Sequence, residues 1–175
     1  MSGDVAETDI TLRDGRVIHL RTVRPTDEAE LLQAFDRIDA HSRYMRFMRS
    51  VKEPNVERLR QVLASFPEHG TGVIATVPAT DGIDIAGSAV YIVGDGGSCE
   101  FAITVTPAFA RTGLGTVLMK ALIESARARG LRQMEGFVLA ANNPMLNLAK
   151  RLGFSVGPDP DDRSVRLCRL QLDGA

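Results

Sequence analysis

Tryptophan is absent from the sequence, and cysteine occurs only twice in 175 residues, at Cys99 and Cys168. The two cysteines lie far apart and lack the spacing of a metal-binding motif, so we predict neither a metal site nor a disulfide framework. The N-terminus, MSGDVAETDI, also lacks the basic stretch and apolar run of a secretory signal. Because few cysteines and no signal segment are typical of proteins from a reducing compartment, we expect a cytoplasmic protein.

Neither sign of charge dominates, since 21 Lys and Arg residues face 22 Asp and Glu residues. No long basic run marks a surface for nucleic acid, and no apolar run approaches the roughly 20 residues that a membrane span requires. We therefore expect neither a nucleic-acid partner nor a membrane. A hydrophobic content of 44% in 175 residues suits one core, which predicts a single domain over residues 1–175.

The first third of the sequence predicts a β-hairpin followed by helices. Two β-prone runs flank Asp14 and Gly15, a dipeptide typical of tight turns. Residues 26–38 begin with Thr and Asp, which commonly cap helices, and residues 53–66 predict a further helix.

The remaining sequence predicts strands around one long helix. The predicted strands cover residues 70–79, 84–94, 99–107, 134–140 and 163–172, and the predicted helices cover residues 114–129 and 143–152. Asn143 is predicted to cap the second helix, with Pro144 at its first position. The first three strands predict an antiparallel meander, followed by a parallel crossover. We therefore predict an α/β (α+β) fold with a mixed, mostly antiparallel sheet.

Two glycines one residue apart, Gly113 and Gly115, stand at the start of the long predicted helix. The first N–H groups of a helix have no partner within it and carry the positive end of the helix dipole, so this position favours a bound anion. A Walker-type phosphate loop is disfavoured because no lysine follows either glycine at the required spacing. A dinucleotide-binding fingerprint is disfavoured by Leu118, which stands where a third small residue is needed.

The segment VTPAFARTGLGTVLM, followed by NNPMLNLAKRLGF, resembles the coenzyme A site of the GNAT family of N-acetyltransferases. The resemblance depends on Pro107, on Gly113 and Gly115, and on Asn142 ahead of Phe154. It implies a GNAT-like fold, in which a mostly antiparallel central sheet has helices on both faces and a parallel pair that splays apart at the cofactor site.

Acetyl-CoA is the cofactor that this resemblance implies. The loop amides would face its pyrophosphate, and its pantetheine would pair with the preceding strand. The implied cofactor-binding residues are Ile103, Thr104, Val105, Ala110, Arg111, Thr112, Gly113, Leu114, Gly115, Thr116, Asn142 and Lys150. The loop departs from the family pattern at Ala110, Arg111 and Thr112, where Gln or Arg, Gly and a basic residue are common. The alternative is a close-packed turn that binds nothing.

Glu100 is the candidate general base. An amine must be neutral to attack a thioester, whereas a lysine side chain, with a pKa near 10.4, is protonated at neutral pH. Alternation in the predicted strand CEFAITV places Glu100 and Cys99 on opposite faces, and this strand leads into the glycine loop. The alternative is a solvated glutamate at the end of a strand.

Two further side chains bear on the mechanism. A covalent acetyl-cysteine on Cys99 is the rival route, but a cysteine beside Phe101 is typical of a small buried hydrophobe. Many GNAT enzymes carry a tyrosine acid where this chain has Ala149. Water or another group would then have to protonate the leaving thiolate.

Over its whole length the chain resembles the acetyltransferase module of bacterial Pat-type protein lysine acetyltransferases. The matching segments are LRDGRVIHLRTVRPTDE, HSRYMRF, CEFAITV and NNPMLNLAKRLGF. This resemblance implies that Glu100 is the base and that the acceptor is a lysine of a protein such as an acyl-CoA synthetase. The oligomeric state is left open.

Three alternatives stay open at this point. The segment SRYMRFMRS predicts an amphipathic helix with Tyr44, Phe47 and Met48 buried and its arginines in solvent, although it could instead line the acceptor side. A small-amine N-acetyltransferase would need an acidic pocket, for which the acidic run at residues 159–162 is the one local hint. A noncatalytic acetyl-CoA sensor would have no need of Glu100.

Overall fold

The computed structural model describes residues 5–48, 52–80 and 82–173. Arg49 and Ser50 of the SRYMRFMRS segment, and Asp81 in a predicted turn, lie outside the described residues. Within the described part of the chain, none of the helices combines the length and the apolar character needed to cross a membrane.

The described strands form one eight-stranded sheet. They are β1 (Thr8–Thr11), β2 (Val17–Thr22), β3 (Gly70–Ala79), β4 (Gly82–Val93), β5 (Ser98–Val105), β6 (Gln133–Leu139), β7 (Ser155–Asp159) and β8 (Asp162–Gln171). Their order across the sheet is β1-β2-β3-β4-β5-β6-β8-β7, and only the β5–β6 pair is parallel. The predicted meander of β3, β4 and β5 and the parallel crossover to β6 are therefore confirmed.

Helices lie on both faces of the sheet. They are α1 (Glu28–Asp36), α2 (Ala40–Phe47), α3 (Val56–Ala64), α4 (Leu114–Ala128) and α5 (Asn143–Arg151). Successive residues of β3 face opposite layers, because side chains alternate along a strand. Ile74 packs with Leu31 of α1 and Leu59 of α3, whereas Val73 belongs to the larger core that contains Leu118 of α4. The predicted arrangement of helices is confirmed.

The start of α5 lies one residue from its predicted position. The side-chain oxygen of Asn142, and not that of Asn143, accepts a hydrogen bond from the Met145 N–H at 3.3 Å. Asn142 is therefore the N-cap, and Pro144 is the second helical residue. The edge strand β7 is absent from the predicted strands.

The predicted burial of α2 is wrong. Tyr44 is 44% exposed and Met48 is 37% exposed, whereas Arg46 is half-buried. Phe47 is half-buried, with its ring centroid 5.9 Å from that of Phe35. The reason is that α2 packs over β5 and β6 where these strands separate, so part of its apolar surface borders a cleft instead of a continuous core.

The parallel pairing of β5 with β6 is short. It extends over three positions, from Ser98 opposite Gln133 to Glu100 opposite Glu135. Beyond Glu100, β5 stays paired with β4 while β6 stays paired with β8. The ring of Phe101 fills the core side of the resulting gap and makes an edge contact with Phe154, with 5.4 Å between ring centroids.

Gly136→Ala should destabilise the fold, because the added methyl group would overlap with the ring of Phe101. We expect the free energy of unfolding to fall by about 1–3 kcal/mol, as is typical of overpacked cores. Chemical denaturation measures this change. Gly157→Ala is the matched control, since a Cβ at Gly157 would have no neighbour within 4 Å, and an equal loss of stability in both variants would contradict this account of the gap.

Candidate active site

A cavity of about 860 Å³ lies where β5 and β6 separate. On one side, β5 contributes Glu100, Ala102 and Thr104, and α2 contributes Met45 and Arg46. The start of α4 and one side of α5 complete the lining. The gap between the strands therefore joins the candidate base to the glycine loop in a single cleft.

Most of the sequence-predicted site residues line this cavity. They are Glu100, Ile103, Thr104, Val105, Ala110, Arg111, Gly113, Leu114, Gly115, Thr116 and Asn142. Thr112 is buried and is not part of the lining. Its hydroxyl donates a hydrogen bond to the Phe109 carbonyl at 2.6 Å and so stabilises the loop. Lys150 is exposed on α5 and is not part of the lining.

The glycine loop has two residues in the left-handed region of backbone conformation. Arg111 and Gly113 both adopt left-handed conformations, with φ of 61° and 86°, and Gly113 is the N-cap of α4. Such a conformation is uncommon for a residue other than glycine and is frequent at functional sites. A Cβ at Gly113 would lie 3.1 Å from the Arg13 side chain, and one at Gly115 would lie 3.1 Å from Leu148. The loop therefore has little room for side chains at these two positions.

Arg13 is a basic residue of the loop region that the sequence analysis missed. Its backbone N–H donates to the Thr112 carbonyl at 3.2 Å, and its side chain lines the cavity beside Gly113. The same β1–β2 turn is held by Arg16, which donates to the Ala108 carbonyl at 2.7 Å. The hairpin thus brings a positive charge to a loop that has Thr112 where a basic residue is common in GNAT enzymes.

Glu100 has a second carboxylate beside it. Glu135 is its direct neighbour across the β5–β6 pairing and accepts a hydrogen bond from Arg169 at 3.3 Å. Burial raises the pKa of Glu100 above its usual range, and the negative charge of Glu135 raises it further. Arg46 and Arg58 act in the opposite direction on the same pKa. A carboxylate with a raised pKa is a stronger base than one in water.

Two arginines of α2 hold this helix in place. Arg46 donates from Nε to the Thr104 hydroxyl at 3.1 Å and so connects the helix to β5. Arg43, one turn earlier, donates to the Phe35 carbonyl at 2.9 Å and lies over the Phe35 ring. The sequence analysis placed both arginines in solvent, which is wrong for Arg46 in particular because it lines the cavity.

Cys99 is unsuited to covalent catalysis. Its side chain is buried on the core side, with Sγ 3.5 Å from the Gln133 carbonyl, and it does not line the cavity. Burial raises the pKa of its thiol to about 12. The thiol therefore stays protonated at neutral pH, whereas the thiolate is the nucleophilic form.

Neither tyrosine replaces the acid that is missing at Ala149. Tyr91 is fully buried and shares a hydrogen bond with Ser125 at 3.3 Å. Tyr44 is exposed on α2. Among the described residues that line the cavity there is no tyrosine.

Comparison with known proteins identifies the family. Residues 35–154 match the model of the acetyltransferase (GNAT) family. Over 163 residues the chain is 32% identical to the acetyltransferase PA5475 of Pseudomonas aeruginosa, an alignment that covers 93% of this chain and 88% of the relative. The chain therefore belongs to the GNAT family of acetyltransferases.

Solved structures show the same fold. The GNAT domain of S. lividans PAT superposes with a TM-score of 0.84 at 22% identity, covering 94% of this chain and 96% of that one. The structure of yncA from Salmonella typhimurium with its cofactor acetyl-CoA superposes with a TM-score of 0.68 at 21% identity, covering 90% of this chain and 95% of that one.

Arg13→Gln should weaken the binding of coenzyme A about fivefold, because it removes a cation from the glycine loop while keeping the backbone bond to Thr112. The loss should shrink at high salt, where charge interactions are screened. Isothermal titration calorimetry with coenzyme A measures both effects. Arg163→Gln, in the exposed β7–β8 hairpin, is the control, and equal affinity of the Arg13 variant and the native protein at low salt would contradict this role.

Proposed function

We propose that this chain is an acetyl-CoA-dependent N-acetyltransferase that modifies a lysine side chain of a protein, such as an acyl-CoA synthetase. The observation that carries the proposal is that Glu100 shares one cavity with the glycine loop at the start of α4. A base and an anion cradle in a single cleft are what acyl transfer from a nucleotide-linked thioester requires.

The residues present fit acetyl-CoA. The positive end of α4, with Arg13 and Arg111 beside it, suits the phosphate groups. The stretch from Ile103 to Val105 lies beyond the last residue of β5 that pairs with β6, which leaves that edge of the strand for pantetheine. When bound, acetyl-CoA supplies the acetyl group as a thioester.

Glu100 accepts a proton from the acceptor ammonium, directly or through a water molecule, and releases it to solvent. The neutral nitrogen can then form a bond to the thioester carbon as the bond from that carbon to sulfur breaks. The nitrogen gives up its second proton to Glu100 or to water in the same step, which leaves the neutral amide. Since Ala149 offers no acid, the departing thiolate takes its proton from water. No stronger acid is needed at this step, because a thiol with a pKa near 8.5 can leave as the thiolate.

An exposed apolar rim favours a protein acceptor. Met48 and Phe137 line the cavity and are 37% and 38% exposed, and Tyr44 lies one turn before Met48 on α2. Exposed apolar groups of this size are typical of surfaces that bind other proteins. The acidic run at residues 159–162, the one hint of a small-amine pocket, lies where β7 meets β8 and is not part of the cavity lining. The likeness in fold to the GNAT domain of S. lividans PAT also supports the proposal.

Glu100→Gln should lower the turnover of acetyl-CoA by about 100-fold or more, because it removes the proton acceptor and keeps the shape of the side chain. The binding of acetyl-CoA should be unchanged. Turnover is measured with an acyl-CoA synthetase and with a panel of small amines as separate acceptors, and binding is measured by calorimetry. Glu124→Gln, at an exposed position on α4, is the control.

Each outcome of this experiment discriminates between functions. Acetylation of the synthetase that collapses in the Glu100 variant supports the proposal. Turnover with small amines alone would mean that the acceptor is a small amine and not a protein. Binding without turnover in the native protein would indicate a sensor, and no binding would overturn the proposed cofactor.

Glu135→Gln should move the acidic limb of the pH–rate profile to lower pH. The base acts when Glu100 is deprotonated, and the charge of Glu135 raises the pKa of that carboxylate. Its removal therefore lowers this pKa, and Glu100 stays deprotonated to lower pH. The profile of kcat/KM against pH measures the shift.

Arg169→Gln is the matched control for this change. It breaks the same hydrogen bond between Arg169 and Glu135 but keeps the negative charge beside Glu100. Its acidic limb should stay in place or move to higher pH. Identical shifts in the two variants would mean that Glu135 acts only through the structure of the sheet.

A further inference from the structure

Arg46 is a charged side chain of the cleft that the proposed mechanism does not use. It extends from α2 to β5, where its Nε–H donates to the Thr104 hydroxyl at 3.1 Å, and its guanidinium lies 4.7 Å from the centroid of the adjacent Phe47 ring. In the described part of the chain, its terminal nitrogens make no hydrogen bond and it forms no ion pair. Arg46 is half-buried and lines the cavity, so two of its donor groups are open to the cleft and have no acceptor among the described residues.

The place of this guanidinium follows from the strand beneath it. Glu100 and Thr104 lie on the same face of β5, four residues and therefore about 13 Å apart. Ala102 lies between them and has only a methyl side chain. Arg46 donates to Thr104, and Glu100 is near enough for its negative charge to act on the pKa of Arg46. The guanidinium therefore lies beside this part of β5.

The same stretch is where acyl transfer would take place. The reacting carbon must lie within reach of an amine whose proton goes to Glu100, and it must also be attached to the group held along residues 103–105. Burial lowers the pKa of Arg46, which reflects the cost of removing part of the water around its guanidinium. A partner with negative charge would offset that cost.

We propose that Arg46 is a catalytic residue that donates hydrogen bonds to the oxygen of the thioester carbonyl and balances the negative charge that develops there. The inference rests on the proposed function. As the bond from nitrogen to carbon forms, an electron pair of the carbonyl moves onto its oxygen, and it returns as the carbon–sulfur bond breaks and sulfur leaves with its pair. Arg46 keeps all its protons throughout. This assistance suits a cleft in which Ala149 replaces the usual tyrosine.

Arg46→Gln should lower kcat by about 100-fold, the usual effect of losing one donor to a developing oxyanion. The KM of the acceptor should change by less than about threefold. Arg46→Lys should recover part of the rate, because it restores the charge without the planar pair of donors. Arg60→Gln is the matched control, since it removes an exposed arginine of α3 that lies outside the cavity lining.

Binding of two unreactive coenzyme A thioethers gives a readout that does not depend on turnover. Carboxymethyl-CoA carries a negative charge near the position of the carbonyl oxygen, whereas ethyl-CoA is neutral there. In Arg46→Gln, the affinity for carboxymethyl-CoA relative to that for ethyl-CoA should fall about tenfold, as measured by calorimetry. The affinity for ethyl-CoA should stay within about twofold, and Arg60→Gln should leave the ratio unchanged.

The outcomes separate this inference from the function on which it rests. If neither thioether binds the native protein, the proposed function fails. If both bind and the ratio is the same in Arg46→Gln and the native protein, the role of Arg46 is overturned. Faster transfer from succinyl-CoA than from acetyl-CoA, lost in Arg46→Gln, would also overturn it, because Arg46 would then select acyl groups that carry a carboxylate.

Discussion

The early end of the pairing between β5 and β6 is the constraint on which the rest of the site depends. The two parallel strands pair over three positions and then follow different neighbours. Backbone N–H and C=O groups need hydrogen-bond partners, and beyond Glu100 this edge of β5 receives none from β6. The ring of Phe101 packs against Gly136 and fills the core side of the gap. The opening that remains is therefore a cleft and not a packing defect. Everything proposed for this protein uses that cleft.

Charges reach the cleft from distant parts of the chain. Arg13 arrives on the β1–β2 turn, Arg46 on α2 and Glu135 on the strand beside Glu100. The cleft therefore has a cationic end at the glycine loop, and at its other end the candidate base Glu100 has neighbours of both charges. This arrangement is consistent with a donor rich in phosphate at one end and an amine acceptor at the other. The α2 helix carries Arg46, which is bonded to Thr104 of β5, and its C-cap Met48 is exposed at the rim of the cleft.

The sequence predicted those features that local patterns determine. Alternation and turn residues predicted the meander, and the strand–glycine–helix order predicted the crossover and the loop at Gly113. Local patterns do not show which distant segments come into contact. The positions of Arg13, Arg46 and Glu135 at the cleft were therefore missed. The burial of α2 was predicted wrongly because an apolar helix face can border a cleft as well as a core. The strand β7 was missed because Gly157 and Pro158 weaken a strand pattern, although proline is tolerated in an edge strand.

Amide hydrogen exchange, followed with and without acetyl-CoA, tests the central claim most directly. If the cofactor occupies the gap between β5 and β6, exchange should slow at amides from Ile103 to Val105 and from Gly113 to Thr116, because bound groups would then accept their hydrogen bonds or shield them from water. The amides of the β7–β8 hairpin should exchange as before. Binding of acetyl-CoA without protection in either segment of the cleft would contradict the account.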